Sequence, residues 1–204
     1  MRVVETKVYT FDELSDKAKE KAREWYREND DFSFYAECII DDAKTIGALM
    51  GIDIDKIYFS GFYSQGDGAC FEGSYSYKKG SLKAVKSYAP LDIELHKIAG
   101  ALAKLQKQHF YRLSASVKHR GHYYHEQCTE IDVLRNCEYM FSTSDSYVRG
   151  SDSDGAALVI LLRDFMQWIY RQLEKEYEYL NSNEVVDENI IANEYEFTEE
   201  GERS

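Results

Sequence analysis

The sequence predicts an α+β fold: an antiparallel sheet of two or more hairpins covered by helices, followed by an acidic C-terminal tail. Three observations predict it. Apolar residues alternate with period two through 57–77 and 111–133. They recur at helical spacing on either side of those stretches. The negative charge is concentrated in the last thirty-one residues.

Thr10 to Asn29 reads as a helix. Thr10 with Glu13 matches a capping box, Ser15 offers a second N-cap, and Leu14, Ala18, Ala22, Trp25 and Tyr26 form its apolar stripe. A second helix is expected from Ser33 to Gly51, with Ala36, Ile39, Ile40, Ala43, Ile46, Leu49 and Met50 at helical spacing and Gly51 suited to the C′ position. The period then changes to two. Ile57, Phe59, Gly61 and Tyr63 form one run, and Ala69, Phe71, Gly73, Tyr75 and Tyr77 form the next. The short glycine-rich gap between them predicts a hairpin that closes at Lys78-Lys79-Gly80.

Pro90, the only proline, suits a helix start, and Ile93, Ile98, Ala99, Leu102 and Leu105 carry a stripe to about Gln108. The clearest strand follows: Tyr111, Leu113, Ala115 and Val117 alternate with Arg112, Ser114, Ser116 and Lys118. Arg120-Gly121 can turn the chain, and His125, Gln127, Thr129, Ile131 and Val133 share a face of the return strand. Two hairpins flanked by helices indicate an antiparallel sheet covered on one face. Asn136 to Asp154 reads as a polar loop. From Gly155 a strong helix carries Leu158, Leu161, Leu162, Phe165, Trp168, Ile169 and Leu173 toward Leu180. The expected organisation is one domain over 1–181 and an acidic tail over 182–204, either partly disordered or docking on a partner.

At 204 residues, with 44% hydrophobic residues, the chain can bury a core. The net charge of −12 argues against direct binding to nucleic acid or anionic lipid, both of which need clustered bases. From Glu174 to Ser204 there are eleven acids and two bases, so that stretch carries −9 and the remaining 173 residues carry −3. The longest uninterrupted apolar run, Ala156–Leu162, is too short to cross a bilayer, and no apolar leader opens the chain. The expected compartment is the cytoplasm, where Cys38, Cys70, Cys128 and Cys137 stay reduced.

Four stretches invite a chemical reading. Phe59 to Phe71 places three glycines near Asp67 and Cys70, as an anion nest or a nucleophile site would. It lacks the lysine and helix of a phosphate loop, so a hairpin turn with Cys70 buried is the plain reading. His119 to Cys128 gathers three histidines and a cysteine, yet the spacing does not pair them as metal ligands. Ordinary hairpin-tip histidines account for the stretch, and its basic, aromatic tip (Lys118, His119, Arg120, His122, Tyr123, Tyr124) equally suits a contact surface. Asp145 with Ser151 to Gly155 lacks the glutamate of a calcium loop, and Ser153 or Asp154 suits a helix N-cap. In the acidic tail Val185, Val186, Ile190, Ile191, Tyr195 and Phe197 interleave with the acids, which suits a segment that docks on a basic, apolar protein surface or that imitates the phosphate array of nucleic acid. The expected contact surface comprises Tyr63, Asp67, His119, Arg120, His122, Tyr123, Tyr124, Glu188, Glu194, Tyr195, Glu196 and Phe197. No catalytic residue, metal or cofactor is expected.

Tyr9 to Ser15 with Lys17-Ala18-Lys19, the Phe59 to Phe71 segment, and Ala192 to Glu199 together resemble a family of small proteins carried by phages and prophages, loosely labelled antitoxins of toxin–antitoxin systems. The resemblance spans most of the chain and transfers no catalytic residue. It implies a phage accessory protein that binds and blocks host defence machinery. The expected partner is a bacterial protein with a basic surface, such as a toxin, a nuclease or a CRISPR effector, bound with salt-sensitive affinity. Self-association as a homodimer is left open. The alternative is a small hydrolase or transferase using Cys70 with one of His119, His122 or His125.

Overall fold

The computed structural model describes residues 7–135, 138–142 and 153–204. The fold is α+β with antiparallel sheets. The chain packs as two compact units, Met1–Ala36 with Glu174–Ser204, and Glu37–Leu173. Among the described residues no helix is long and apolar enough to cross a membrane.

The first unit begins with strand β1 (Tyr9–Thr10), a 3-10 turn (Phe11–Glu13) and helix α1 (Asp16–Asn29). The Thr10–Glu13 capping box forms, with Thr10 N–H donating to Glu13 Oε2 at 2.8 Å. It caps the short turn and not the helix, because Leu14 and Ser15 are extended. Ser15 is the helix N-cap, its Oγ accepting from Ala18 N–H at 3.3 Å.

The C-terminal part of this unit includes α6 (Asn183–Ala192) and β7 (Glu196–Phe197). Strand β7 pairs antiparallel with β1, setting Phe197 opposite Tyr9. Phe11, Leu14, Ala18 and Ala22 share one core with Val186, Ile190 and Phe197. The stretch expected as a tail is therefore structural. An amphipathic α1 cannot bury its stripe alone, and the apolar residues interleaved with the acids supply the covering surface.

The second unit is built on a five-stranded antiparallel sheet in chain order: β2 (Ile52–Phe59), β3 (Ala69–Ser76), β4 (Leu113–His119), β5 (Thr129–Arg135) and β6 (Glu138–Ser142). Ile57 faces Phe71, Gly73 faces Val117, and Val117 faces Ile131. The alternation read in the sequence holds where Leu113, Ala115, Val117, Ile131 and Val133 are buried; it fails at Tyr111, which precedes β4 with a φ of 62°, and at His125 and Gln127, because Glu126–Cys128 form a 3-10 turn and β5 starts only at Thr129. Helix α2 (Phe32–Met50) precedes the sheet, with Ala43, Ile46 and Met50 buried.

Helices α4 (Ile93–Gln108) and α5 (Ser153–Leu180) pack on the apolar face. From α4, the buried Gln106 side chain donates to Tyr75 Oη and Leu113 O and accepts from Leu113 N–H. From α5, Phe165 meets Phe71 edge-on at 6.2 Å.

Other elements differ from expectation as well. Helix α3 (Ser81–Tyr88) follows Gly80 where the hairpin was expected only to close. Helix α4 starts at Ile93 and not at Pro90, because Asp92 is its N-cap. Its Oδ1 accepts from Leu95 N–H, and its Oδ2 from Trp168 Nε1, each at 2.8 Å. Strand β6 lies inside the stretch expected as a loop. The calcium-loop reading at Asp145, Ser151 and Asp152 lies outside the described residues, and so does the side-chain capping reading at Ser153 and Asp154.

Candidate functional site

In the second unit the fold brings two of the singled-out stretches together. The glycine loop joining β2 to β3 lies against the segment between β4 and β5. A Cβ at Gly66 would stand 2.6 Å from the Tyr123 ring, and one at Gly68 would stand 2.6 Å from the His125 backbone. The glycines are therefore close-approach residues, and Gly66 also holds a φ of 95°.

Around this junction Tyr58 stacks on His119 (4.8 Å) and on Tyr124 (5.5 Å), with Lys56 Nζ 4.3 Å over the Tyr58 ring. Tyr58 Oη donates to Glu72 Oε2 at 2.9 Å. Tyr63 is 74% exposed and Tyr123 59% exposed. His122 is exposed as well.

Not every candidate here faces outward chemically. Asp67 Oδ2 accepts from Ser64 N–H at 2.7 Å and builds the loop. His119 Nε2 contacts Tyr123 O at 3.0 Å, and Arg120 Nε donates to Glu130 Oε2 at 2.5 Å. Tyr63, His122 and Tyr123 are exposed at this junction.

The cysteine of the hydrolase or transferase alternative does not have the surroundings of an activated nucleophile. Cys70 is fully buried, and burial pushes its thiol up to about 12, the opposite of an activated nucleophile. His122 is out at the exposed tip. A different pair forms instead, with Cys128 Sγ 3.4 Å from His125 Nε2. Gln127 N–H donates to His125 Nδ1 at 3.2 Å, which fixes the neutral ring's proton on Nε2. The imidazole therefore presents a donor to the sulfur and is not oriented to deprotonate it. Among the described residues no three His, Cys, Asp or Glu side chains are grouped to hold a metal.

The first unit carries the other half of the expected surface. Glu188, Glu194 and Glu196 are exposed, and Tyr195 is half-buried. Tyr195 packs edge-on against Trp25 at 5.2 Å, and the Arg203 guanidinium lies 5.0 Å from the Tyr195 ring centre. Phe197 is a correction: it is 0% exposed and belongs to the core, so it offers no contact. Glu194, Tyr195 and Glu196 line a cavity of about 400 Å³, with Phe11, Asp12 and Ile191 among its other walls.

Charge follows the division between units. Residues 1–36 hold nine acids and seven bases, and 174–204 hold eleven acids and two bases, so the first unit carries −11 of the −12. The second unit is near neutral only in sum. Between Gly73 and His125 ten bases stand against two acids, Asp92 and Glu94. Averaging over the first 173 residues hid that run, and counting in shorter windows would have found it.

The chain belongs to the family described as a domain of unknown function (DUF8835), whose model matches residues 35–183. The match takes in the whole second unit and stops short of most of the first. No curated protein and no solved structure matches the chain.

Proposed function

We propose that this DUF8835 member is a non-enzymatic binding protein, carried by a phage or other mobile element, that neutralises a bacterial toxin or defence complex in the host cytoplasm by occupying its basic surface. The observation that carries the reading is the first unit's charge. Nearly all of the excess negative charge sits on one folded unit, where Glu188, Glu194 and Glu196 are exposed on a packed scaffold.

The cavity beside Tyr195 suits this use. Ile191 and Phe11 can take the aliphatic stem of a lysine or arginine, while Asp12, Glu194 and Glu196 stand near its charged head. The resemblance to phage-borne antitoxin-like proteins supports a bacterial target. The exposed Tyr63 and Tyr123 supply a second contact patch of the amphipathic kind common at interfaces.

Deleting 182–204 would remove part of the first unit's core and would confound loss of contact with unfolding. Charge reversal on the intact chain is the cleaner test. Full-length protein and the Glu194→Lys/Glu196→Lys variant are used to capture partners from bacterial lysate at low and high salt. The expected result is a basic protein retained at low salt, released at high salt and lost with the variant. Equal retention of the same proteins by the variant would defeat the reading.

A further inference from the structure

We propose that the exposed cap closing the C-terminal end of α4 docks on a second copy of this chain, entering the acid-rimmed cavity of that copy's first unit. The cap follows a helix-ending pattern in which Tyr111 N–H donates to Gln106 O at 2.7 Å and Phe110 N–H to Lys107 O at 3.4 Å. The pattern needs a left-handed residue just beyond the capping residue His109. Glycine is the usual occupant, because it has no Cβ to crowd the carbonyl. Here Phe110 and Tyr111 hold φ of 54° and 62°.

Left-handed backbone under two aromatic residues costs the fold stability, and Phe110 returns little burial for it. Phe110 is 76% exposed and Tyr111 47% exposed. Tyr77 braces Tyr111, their ring centres 4.5 Å apart. Lys107 lies beside these two rings in one surface recess, and Arg112 follows directly. Both bases are exposed, and neither forms an ion pair among the described residues. The cap is thus an apolar knob flanked by two cations, and backbone strain of this kind persists at surfaces that are used.

The first unit carries the complementary socket. Its cavity of about 400 Å³ has Phe11, Ile191 and Tyr195 in its walls, with Asp12, Glu194 and Glu196 beside them. The Phe110 ring matches the apolar walls, and the acids match the flanking Lys107 and Arg112. The wider charge is complementary too: the first unit carries −11, while ten bases stand against two acids between Gly73 and His125. Both surfaces belong to one sequence, so every copy supplies knob and socket in equal number. Two different patches meet in such a contact.

Single-stranded nucleic acid also stacks on exposed rings beside cations. The net charge of −12 opposes a polyanion, whereas a second copy brings its acids on apolar walls. A basic target entering the same cavity has to displace the second copy. Self-association is read on purified protein without any target, so its failure and the failure of target capture are separate results.

Sedimentation equilibrium of the purified full-length protein, over about a hundredfold range of concentration, should show reversible association at low salt that weakens at high salt. Phe110→Gly removes the ring and installs the residue the cap prefers. It should melt no lower than the parent and associate at least about tenfold more weakly. Glu194→Lys/Glu196→Lys and Lys107→Glu/Arg112→Glu should each stay monomeric alone. Mixed, the two should associate again, because the reversed socket then meets the reversed cap. Should a charge reversal unfold, Phe110→Gly carries the test. A parent that stays monomeric throughout, a Phe110→Gly chain that associates like the parent, or a folded charge-reversed pair that does not recover on mixing would overturn the proposal. So would a single-stranded oligonucleotide bound by a monomeric parent and lost in Phe110→Gly, which would assign the cap to nucleic acid.

Discussion

Arg23 of α1 and Asp187 of α6 lie 164 positions apart and meet in a two-point ion pair, Nε to Oδ1 and Nη2 to Oδ2, each 2.6 Å. Both side chains are largely shielded, at 18% and 26% exposed. The planar fork matches the carboxylate, so the pair fixes how α6 lies against α1 as well as adding attraction. Asp187, one of the acids that give the first unit its charge, is thus held in place by a base of the same unit.

Asp187→Asn keeps the shape and removes the charge. It should lower the first unit's stability by about 1.5–3 kcal/mol, the range for a hydrogen bond to a charged group. The chain has two tryptophans, and only Trp25 lies in the first unit. Urea unfolding followed by Trp25 fluorescence in a Trp168→Phe background reads this unit alone. An unchanged midpoint would mean that the pair adds nothing to stability.

Phe197→Ala is the sharper test of whether the C-terminal stretch is structural. Phe197 is fully buried and meets Trp25 edge-on at 5.7 Å. Truncating it should cost about 3–5 kcal/mol, as for other buried aromatic residues. A solvated tail would tolerate the change within about 0.5 kcal/mol. The same urea experiment separates those outcomes.

How far the sequence showed all this depends on the distance over which each residue finds its partner. Leu113 to Val117 alternate cleanly because a strand's two faces are written in adjacent residues, and the Thr10–Glu13 box is equally local. Helix α3 escaped because it has eight residues, follows a glycine that already suited a turn, and buries little beyond Ser81 and Val85. The C-terminal stretch is the instructive case. Val186, Ile190 and Phe197 were visible as apolar residues needing cover, and the cover was sought on another protein. It stands on α1, and no local pattern announces a partner at that sequence distance. The meeting of Gly66 and Gly68 with Tyr123 and His125 was hidden for the same reason, though both stretches had drawn attention separately.

That meeting makes its own prediction. A methyl at residue 68 would sit 2.6 Å from the His125 Cα, so Gly68→Ala must displace the segment between β4 and β5. The glycine loop leads directly into β3 and the buried Cys70. In the parent protein Cys70 should resist a thiol reagent while the exposed Cys38 reacts. In Gly68→Ala the Cys70 reaction should accelerate at least about tenfold, equivalent to roughly 1.4 kcal/mol of easier opening. Peptide mapping of the labelled cysteines measures it, and an unreactive Cys70 in the variant would show that the contact yields without opening the site.

Alkaline pH tests the burial of Cys70 from the other side. Burial raises the Cys70 thiol to about 12 from its ordinary value near 9, and raises Tyr75 to about 12 from near 10. The folded state thus holds these protons more tightly than the unfolded chain does. The sign follows: their contribution is complete below pH 9 and is lost as pH rises from 9 toward 12. Urea midpoints should fall over that window. Cys70→Ala should begin lower at pH 8, from lost packing, and then fall less steeply, because it has no thiol to ionise. Tyr75→Phe should flatten the profile above pH 10, while stranding one bond to Gln106 Nε2. If Cys70→Ala and the parent decline in parallel from pH 9 to 11, the thiol is not the buried, reluctant acid that its 0% exposure implies.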